Sequence, residues 1–237
     1  MTALLTGELI KTVTTRTLFG FAATGVALAV GNVLILTLSE DLVTVADKQE
    51  AIAGLPIMLV LFGLVGAAGE YRHRTAAPAA LAAGRGRARL LLARAGAYAV
   101  VGLAVGALTA AVSLALGLPL LGSEPGPGVG YGEVVTVAAG SIIGAALCAI
   151  MGVAAGALAR NQVVGVVGAL ILMFVVTPLL NIVNETAIAY TPFGAAVVLA
   201  GDPMASLSWG GAALVLAAWT VALLLVAILA EQRRDLA

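Results

Sequence analysis

Long apolar segments alternate with short polar ones along the whole chain. Six of the apolar segments are long enough to form membrane-spanning helices: residues 18–38, 52–69, 95–118, 133–158, 163–182 and 209–230. A helix needs about 20 apolar residues, at about 1.5 Å rise each, to cross a hydrocarbon core about 30 Å thick. The pattern therefore predicts an all-α membrane protein with six transmembrane helices. We expect a single membrane domain over residues 1–237. The first apolar run exceeds a signal-peptide core and no A-x-A site follows it, so we expect this helix to be retained.

Basic residues are concentrated in four of the connecting segments: 1–17, 70–94, 159–162 and 231–237. These segments hold eleven of the twelve lysines and arginines, and Lys48 is the exception. Because short cytoplasmic segments are enriched in Lys and Arg, the distribution predicts that both termini are cytoplasmic. Most of the acidic residues fall in the opposite set of connections.

Two connecting segments carry patterns of their own. The N-terminal segment 1–17 is amphipathic, and a helix there would place Leu5, Leu9, Val13 and Ile10 toward one side. An interfacial helix on the inner leaflet would bury that side and expose the charged residues Glu8, Lys11 and Arg16. Otherwise the segment is only a polar lead-in to the first span. The outer segment 181–208 contains "PFGAAVVLAG", which is too short to span and predicts an interfacial or re-entrant short helix.

Composition places the chain among integral membrane proteins, since 62% of its residues are hydrophobic and only 10% are charged. Soluble domains carry about 25% charged residues. The formal net charge is +0, so we expect no nucleic-acid partner. The single cysteine, Cys148, lies in an apolar run and is expected to be a buried apolar residue, and no metal site is predicted.

Catalytic motifs are missing from the sequence. The two lysines, Lys11 and Lys48, follow Ile10 and Asp47, so there is no Gly-Lys-Ser/Thr element to hold ATP phosphates. The one histidine, His73, lies between two arginines at a predicted membrane edge, which is a poor setting for a neutral general base. We therefore expect that the chain is not an enzyme and binds no cofactor itself.

The predicted spans contain no clear charge at mid-membrane depth, which disfavours an ion-coupled carrier. Their polar residues are milder, and most are explained by hydrogen bonds between helices. Asn32, Thr177 and Asn181 are the candidates for a transport pathway, because Pro178 can open a kink beside the last two. Small residues four apart recur at Gly102/Gly106, Gly140/Gly144 and Gly152/Gly156, which indicates close helix packing either inside the subunit or at a dimer face.

The cytoplasmic segment 70–94 has two parts. Arg85, Arg87, Arg89 and Arg94 are explained as topological anchors that contact anionic lipid. The first part, "GEYRHRTAAPAALAAG", is not explained in this way. Thr75 can cap a helix and Pro78 suits its first turn, so a short Ala-rich helix is predicted over residues 76–83.

Three stretches together resemble the type-2 ABC transporter permeases. "GEYRHRTAAPAALAAGRGRARLLLAR" is similar to the family's segment after helix two, although Arg74 stands where members often have glycine. "GELIKTVTTRT" is similar to the amphipathic lead-in before helix one. "LSWGGAALVLAAWTVALLLVAILAEQRRDLA" resembles the family's last helix. The likeness covers the whole chain in layout.

The resemblance implies a half-transporter in a bacterial plasma membrane. Two permease subunits, identical or different, would pair with two separate ATPase subunits that bind ATP and Mg. The ATPase contact would comprise Glu70, Tyr71, Arg72, His73, Arg74, Thr75, Ala77, Ala80 and Leu81. Segment 181–208 would hold short outer helices between helices five and six. Export is the usual direction, and an apolar lining suggests a hydrophobic or amphiphilic cargo. The alternatives are a secondary carrier or channel, and a non-transporting membrane scaffold or immunity protein.

Overall fold

A computed structural model describes residues 2–39, 42–73, 75, 86–202 and 207–233. Within these ranges the chain is helical and contains no β-strand. The helices are α1 (Thr2–Thr14), α2 (Arg16–Ser39), α3 (Val45–Ala51), α4 (Met58–Arg72), α5 (Arg87–Leu121), α6 (Tyr131–Ala159), α7 (Gln162–Ile171), α8 (Thr177–Val183), α9 (Glu185–Ala189), α10 (Pro192–Ala200) and α11 (Trp209–Arg233). A π-helical turn, Leu172–Val176, joins α7 to α8.

Five helical segments are long and apolar enough to cross a membrane, which makes this a multi-pass membrane protein. They are Arg16–Leu38, Arg87–Leu121, Tyr131–Ala159, Gln162–Leu180 and Trp209–Arg233. Each coincides with a span predicted from the sequence, and the largest difference is that α5 begins eight residues before the predicted start at residue 95. The all-α class and five of the six predicted spans are therefore confirmed.

The predicted span 52–69 differs from the structure. Residues 52–57 are not helical, and α4 then runs for only 15 residues. The turn is held in place where the Gly54 N–H donates to the Ser141 hydroxyl at 3.0 Å. At about 1.5 Å per residue α4 is about 22 Å long, short of the hydrocarbon core. Protein surrounds it instead, because Leu59, Phe62 and Leu64 are all buried.

Helix α6 lies at the centre of the bundle and contacts α4, α5, α10 and α11. Its glycines allow neighbouring backbones to approach. A Cβ at Gly152 would collide with the Val60 carbonyl oxygen, and one at Gly156 would lie 2.6 Å from the Leu64 carbonyl oxygen. The two other small-residue pairs also pack against residues of the same chain. The intrachain interpretation of the GxxxG spacing is thus confirmed.

The end of the bundle remote from residues 2 and 233, which we call the loop end, is closed by short elements. Helix α3 begins at a capping box, in which the Thr44 hydroxyl accepts from Asp47 N–H at 3.1 Å and the Asp47 carboxylate accepts from Thr44 N–H at 2.8 Å. These bonds with Thr44, chiefly the one from its backbone, lower the pKa of Asp47. Lys48 is buried, and its ammonium donates to the carbonyl oxygen of Pro127 at 3.1 Å.

The short helix predicted in segment 181–208 is present as α10. The Thr191 hydroxyl caps it by accepting from the Gly194 N–H at 3.0 Å, and Pro192 occupies its first turn. It ends at Gly201, whose φ of 129° is open to glycine but strained for other residues. Most of α10 is buried against α6 and α11. Burial at this site raises the pKa of the nearby Asp202.

Candidate functional site

The opposite end of the bundle, which we call the terminal end, brings together most of the buried charge in the described chain. Helix α1, the last turn of α4, the first turns of α5, the α6–α7 turn and the last turn of α11 meet there through side-chain contacts. Residues of α4 take part in two of these four contacts, through Glu70 and Tyr71. Two clusters result, one built around Glu70 and the other around Tyr71.

The first cluster, which we call the ion cluster, consists of Glu8, Lys11, Glu70 and Arg94. Arg94 Nε donates to Glu8 at 3.2 Å, and its terminal nitrogen Nη2 pairs with Glu70. Lys11 donates to Glu8 at 2.7 Å and also pairs with Glu70. Two positive and two negative groups therefore share one site, and each carboxylate is shared between two cations. Arg94, Glu8 and Glu70 expose only 5%, 9% and 10% of their side chains, so this cluster depends on its internal pairing for its solvation.

Two sequence predictions are corrected by this cluster. Glu8 was expected on the exposed side of an interfacial helix, but it is buried against α5 because Arg94 needs a counter-charge there. Arg94 was interpreted as a lipid-contacting anchor, but it faces the protein interior. The exposed residues of α1 include the apolar Ile10 (56%) and Val13 (42%), together with Lys11, whose side chain is 43% exposed. The helix itself is confirmed, and the difference from the prediction is that Glu8 faces the protein and not the solvent.

The second cluster joins α4 to the far side of the bundle. The Tyr71 hydroxyl donates to Glu231 of α11, and Arg160 donates to the same carboxylate at 3.2 Å. The Arg160 guanidinium also lies over the Tyr71 ring, 5.1 Å from its centroid, in a cation–π contact. Burial, together with the Glu231 carboxylate, raises the pKa of Tyr71 above its usual range. Tyr71 therefore stays protonated and remains a donor at neutral pH.

The next residues along the chain are more exposed. Arg72 and His73 face outward, and Arg72 Nη1 lies 3.4 Å from the side-chain oxygen of Gln162. Thr75 returns toward the helix, because its backbone N–H donates to the Glu70 carbonyl oxygen at 2.9 Å. Four residues of the predicted ATPase contact, Arg74, Ala77, Ala80 and Leu81, lie outside the described residues, as does the predicted helix 76–83.

A cavity of about 580 Å³ lies beside the ion cluster, between α1, α4 and α5. Its wall combines apolar surface with charged and hydroxyl groups, and the residues that line it are Glu8, Lys11, Thr12, Thr15, Thr17, Val65, Gly66, Gly69, Glu70, His73, Thr75, Tyr98 and Gln162. Three of these, Glu8, Lys11 and Thr12, follow the i, i+3, i+4 spacing of one face of α1, and Thr15 comes directly after that helix. The polar stripe of α1 thus faces this cavity.

The remaining sequence candidates lie away from the terminal end or outside the clusters. Arg16 begins α2 and is exposed. The Asn32 amide donates to the carbonyl oxygens of Glu50 at 3.1 Å and Ala51 at 3.3 Å, where it holds the last turn of α3. The Thr177 hydroxyl donates to the Leu172 carbonyl oxygen at 2.8 Å across the π-helical turn, and Asn181 lies on α8. In the described ranges no three His, Cys, Asp or Glu residues are placed to hold a metal ion.

Sequence reasoning missed Arg94, Arg160 and Glu231 as members of the site. Each is a charged residue at the end of a long apolar helix, on the side predicted to share one membrane face. Charges in that setting are costly unless they are paired, so partners could have been sought among them. Which charge pairs with which follows only from the helix packing.

Tyr71→Phe is expected to weaken the link between α4 and α11. The variant keeps the ring under Arg160 but removes the donor to Glu231, so the free energy of unfolding should fall by about 1–2 kcal/mol. Denaturation in mixed detergent micelles, followed by circular dichroism, measures the loss. Tyr131→Phe is the matched control, because Tyr131 is 85% exposed and should change little. Equal stability of the two variants would show that the Tyr71 hydroxyl contributes nothing.

Comparison of the chain with protein-family models and with curated proteins gave no match.

Proposed function

We propose that this protein is the permease subunit of an ATP-driven ABC exporter of the type-2 class. The observation that carries the proposal is the position of Glu70, Tyr71 and Arg72, three consecutive residues where α4 leaves the bundle. Glu70 pairs with α1 and α5, Tyr71 with α11, and Arg72 contacts α7. A force applied to the segment after α4 would therefore reach four other helices at once.

The energy source in this proposal is a separate subunit. The sequence has no phosphate-binding lysine motif, so the partner ATPase would bind ATP and Mg, and its activity would not belong to this chain. Exposed Arg72 and His73 would face the partner, while Glu70 and Tyr71 would transmit movement from beneath them. In this assignment Glu70 is a positioning residue, because its buried carboxylate is already paired.

The membrane arrangement in the proposal follows the sequence. The terminal end would face the cytoplasm of a bacterial plasma membrane, and α4 with the preceding turn would complete a sixth crossing. A second permease subunit would cover apolar faces of α2 and of residues 162–183, where Phe19, Val163 and Phe174 are each at least 65% exposed. The cargo would be hydrophobic or amphiphilic, because these helices offer an almost wholly apolar surface.

Co-purification with a co-expressed ATPase from a neighbouring reading frame tests the proposal. We expect a stable complex whose ATPase activity, once reconstituted in liposomes, drives cargo movement. Arg72→Ala combined with His73→Ala should lower the recovery of the ATPase by about tenfold, since the loss of two interface side chains typically costs 1–2 kcal/mol. Both residues are exposed, so membrane insertion and stability should stay as in the wild type.

Arg89→Ala is the matched control, because Arg89 is exposed at the same end of the bundle and is not part of the predicted contact. Equal recovery of the ATPase with Arg72→Ala/His73→Ala and with Arg89→Ala would remove the docking assignment. A protein that forms no ATPase complex at all and transports nothing would instead be a membrane scaffold.

One observation favours a second candidate, an ion-coupled carrier. Glu8 and Glu70 are buried carboxylates, and ion-coupled carriers place ionisable side chains inside the membrane protein. Transport by the purified chain alone, driven by a proton gradient without ATP, would support the carrier and reject the ABC permease. ATP-dependent transport that survives collapse of the gradient would do the reverse.

A further inference from the structure

The geometry points to a binding site for a zwitterionic phosphoethanolamine head group in the cavity between α1, α4 and α5. This inference stands apart from the proposed transport function, since it concerns binding to this chain alone. The juxtaposition that carries it is a cavity of about 580 Å³ whose wall holds carboxylates, an ammonium and several hydroxyls side by side.

The charges around the cavity balance. Glu8, Glu70 and Lys11 line it, and Arg94 lies behind the two carboxylates. A purely anionic ligand would meet two carboxylates, and a purely cationic ligand would meet Lys11 and Arg94. A zwitterion can pair its ammonium with the carboxylates and its phosphate with Lys11, so the site selects a ligand that carries both charges.

The polar groups retain capacity for such a ligand. Each carboxylate can accept about four hydrogen bonds, and Glu70 accepts only from Lys11 and Arg94 among the bonds seen here. Lys11 is 43% exposed and donates to both oxygens of Glu8 at 2.7 Å, so one of those two N–H groups can turn to a phosphate while the other keeps the ion pair. The hydroxyls of Thr12, Thr15 and Thr75 already donate to backbone carbonyls, so they offer acceptor lone pairs to an ammonium.

The position of the cavity favours a lipid as the carrier of this group. Helix α1 forms one wall with its polar stripe, while Ile10 and Val13 on its other side are exposed. A helix with that arrangement lies at the membrane interface with its apolar residues among the acyl chains. The cavity behind it is then at the depth of the head groups.

Gly69 provides a direct means of closing the cavity. It lines the wall, and a Cβ added there would meet nothing within 4 Å, so Gly69→Leu should fill the space without displacing the backbone. Gly168→Leu is the matched control, because Gly168 is also helical with nothing within 4 Å but lies on α7, away from the cavity. Thr17→Leu, at the exposed rim, is a second blocking variant should Gly69→Leu not fold.

Native mass spectrometry of the purified protein in detergent, titrated with phosphatidylethanolamine, tests the site. We expect saturable binding that Gly69→Leu or Thr17→Leu weakens by about tenfold or more, while Gly168→Leu binds as the wild type does. Phosphatidylcholine, whose ammonium has no N–H, and anionic phosphatidylglycerol should bind more weakly. Soluble glycerophosphoethanolamine tests whether the head group alone is enough for binding. If it competes with phosphatidylethanolamine, the affinity belongs to the head group. If it does not compete, the affinity requires the intact lipid. Equal binding of the three lipids, or unchanged binding in both blocking variants, would overturn the inference.

Discussion

Arg94→Met is expected to destabilise the protein by about 3–5 kcal/mol, because it leaves two carboxylates at a buried site without their main cation. Arg94 exposes 5% of its side chain and pairs with both Glu8 and Glu70. Methionine retains much of the arginine's length and apolar contact, so the loss reports on charge rather than on packing. Lys11 alone cannot neutralise two acids, and α1 should detach from α4 and α5. Denaturant titration in mixed micelles measures the free energy, and limited proteolysis within α1 reports its detachment.

Two further variants make this expectation specific. Arg89→Met removes a cation from an exposed position five residues earlier on the same helix and should change the free energy by less than about 0.5 kcal/mol. Adding Glu8→Gln and Glu70→Gln to Arg94→Met removes the uncompensated charge and should restore part of the stability. If Arg94→Met were as stable as Arg89→Met, the ion cluster would not hold α1 to the bundle.

Gly152→Ala and Gly168→Ala are expected to change stability in opposite directions. Alanine in place of a helical glycine with open space around the new Cβ gains about 0.5–1 kcal/mol, because the unfolded chain loses freedom. Gly168 is such a position, with nothing within 4 Å of an added Cβ. At Gly152 the same methyl group would collide with the Val60 carbonyl oxygen and lie 2.9 Å from the Leu64 nitrogen. Backbone atoms cannot rotate away, so α4 and α6 must separate and the variant should lose about 1–3 kcal/mol.

Each alanine variant adds one methyl group to the wild-type chain. The difference between their free energies of unfolding therefore isolates the close contact between α4 and α6. Unfolding of both in the same mixed micelles is the measurement. A stabilised Gly152→Ala would mean that the contact relaxes at little cost. That result would also mean that the spacing between α4 and α6 is not fixed by Gly152.

Much of the fold follows from the sequence. Spans such as 133–158 and 209–230 match α6 and α11 closely. The length of an apolar run is a local property of the sequence, and the thickness of the hydrocarbon core sets the length that a spanning helix needs. The short helix α10 was also predictable, since Thr191, Pro192 and Gly201 mark its ends. The predicted span 52–69 was wrong at its start, because the apolar run begins at residue 52 and α4 begins only at Met58. The turn ahead of it is set by Ser141, a residue 87 positions away.

The functional site also has features that the sequence predicts and features that only the tertiary structure determines. The sequence by itself determined that this is an all-α membrane protein, that its basic residues gather at one end, and that Glu70–Tyr71–Arg72 stands where α4 leaves the bundle. Only the tertiary structure decided that Glu70 is buried, that Glu8 faces inward and that Tyr71 reaches Glu231. The reason is physical: Lys11 and Glu70 are 59 residues apart, and Tyr71 and Glu231 are 160 apart. Hydropathy sets the depth of each charge in the membrane, but helix packing decides which opposite charge stands beside it.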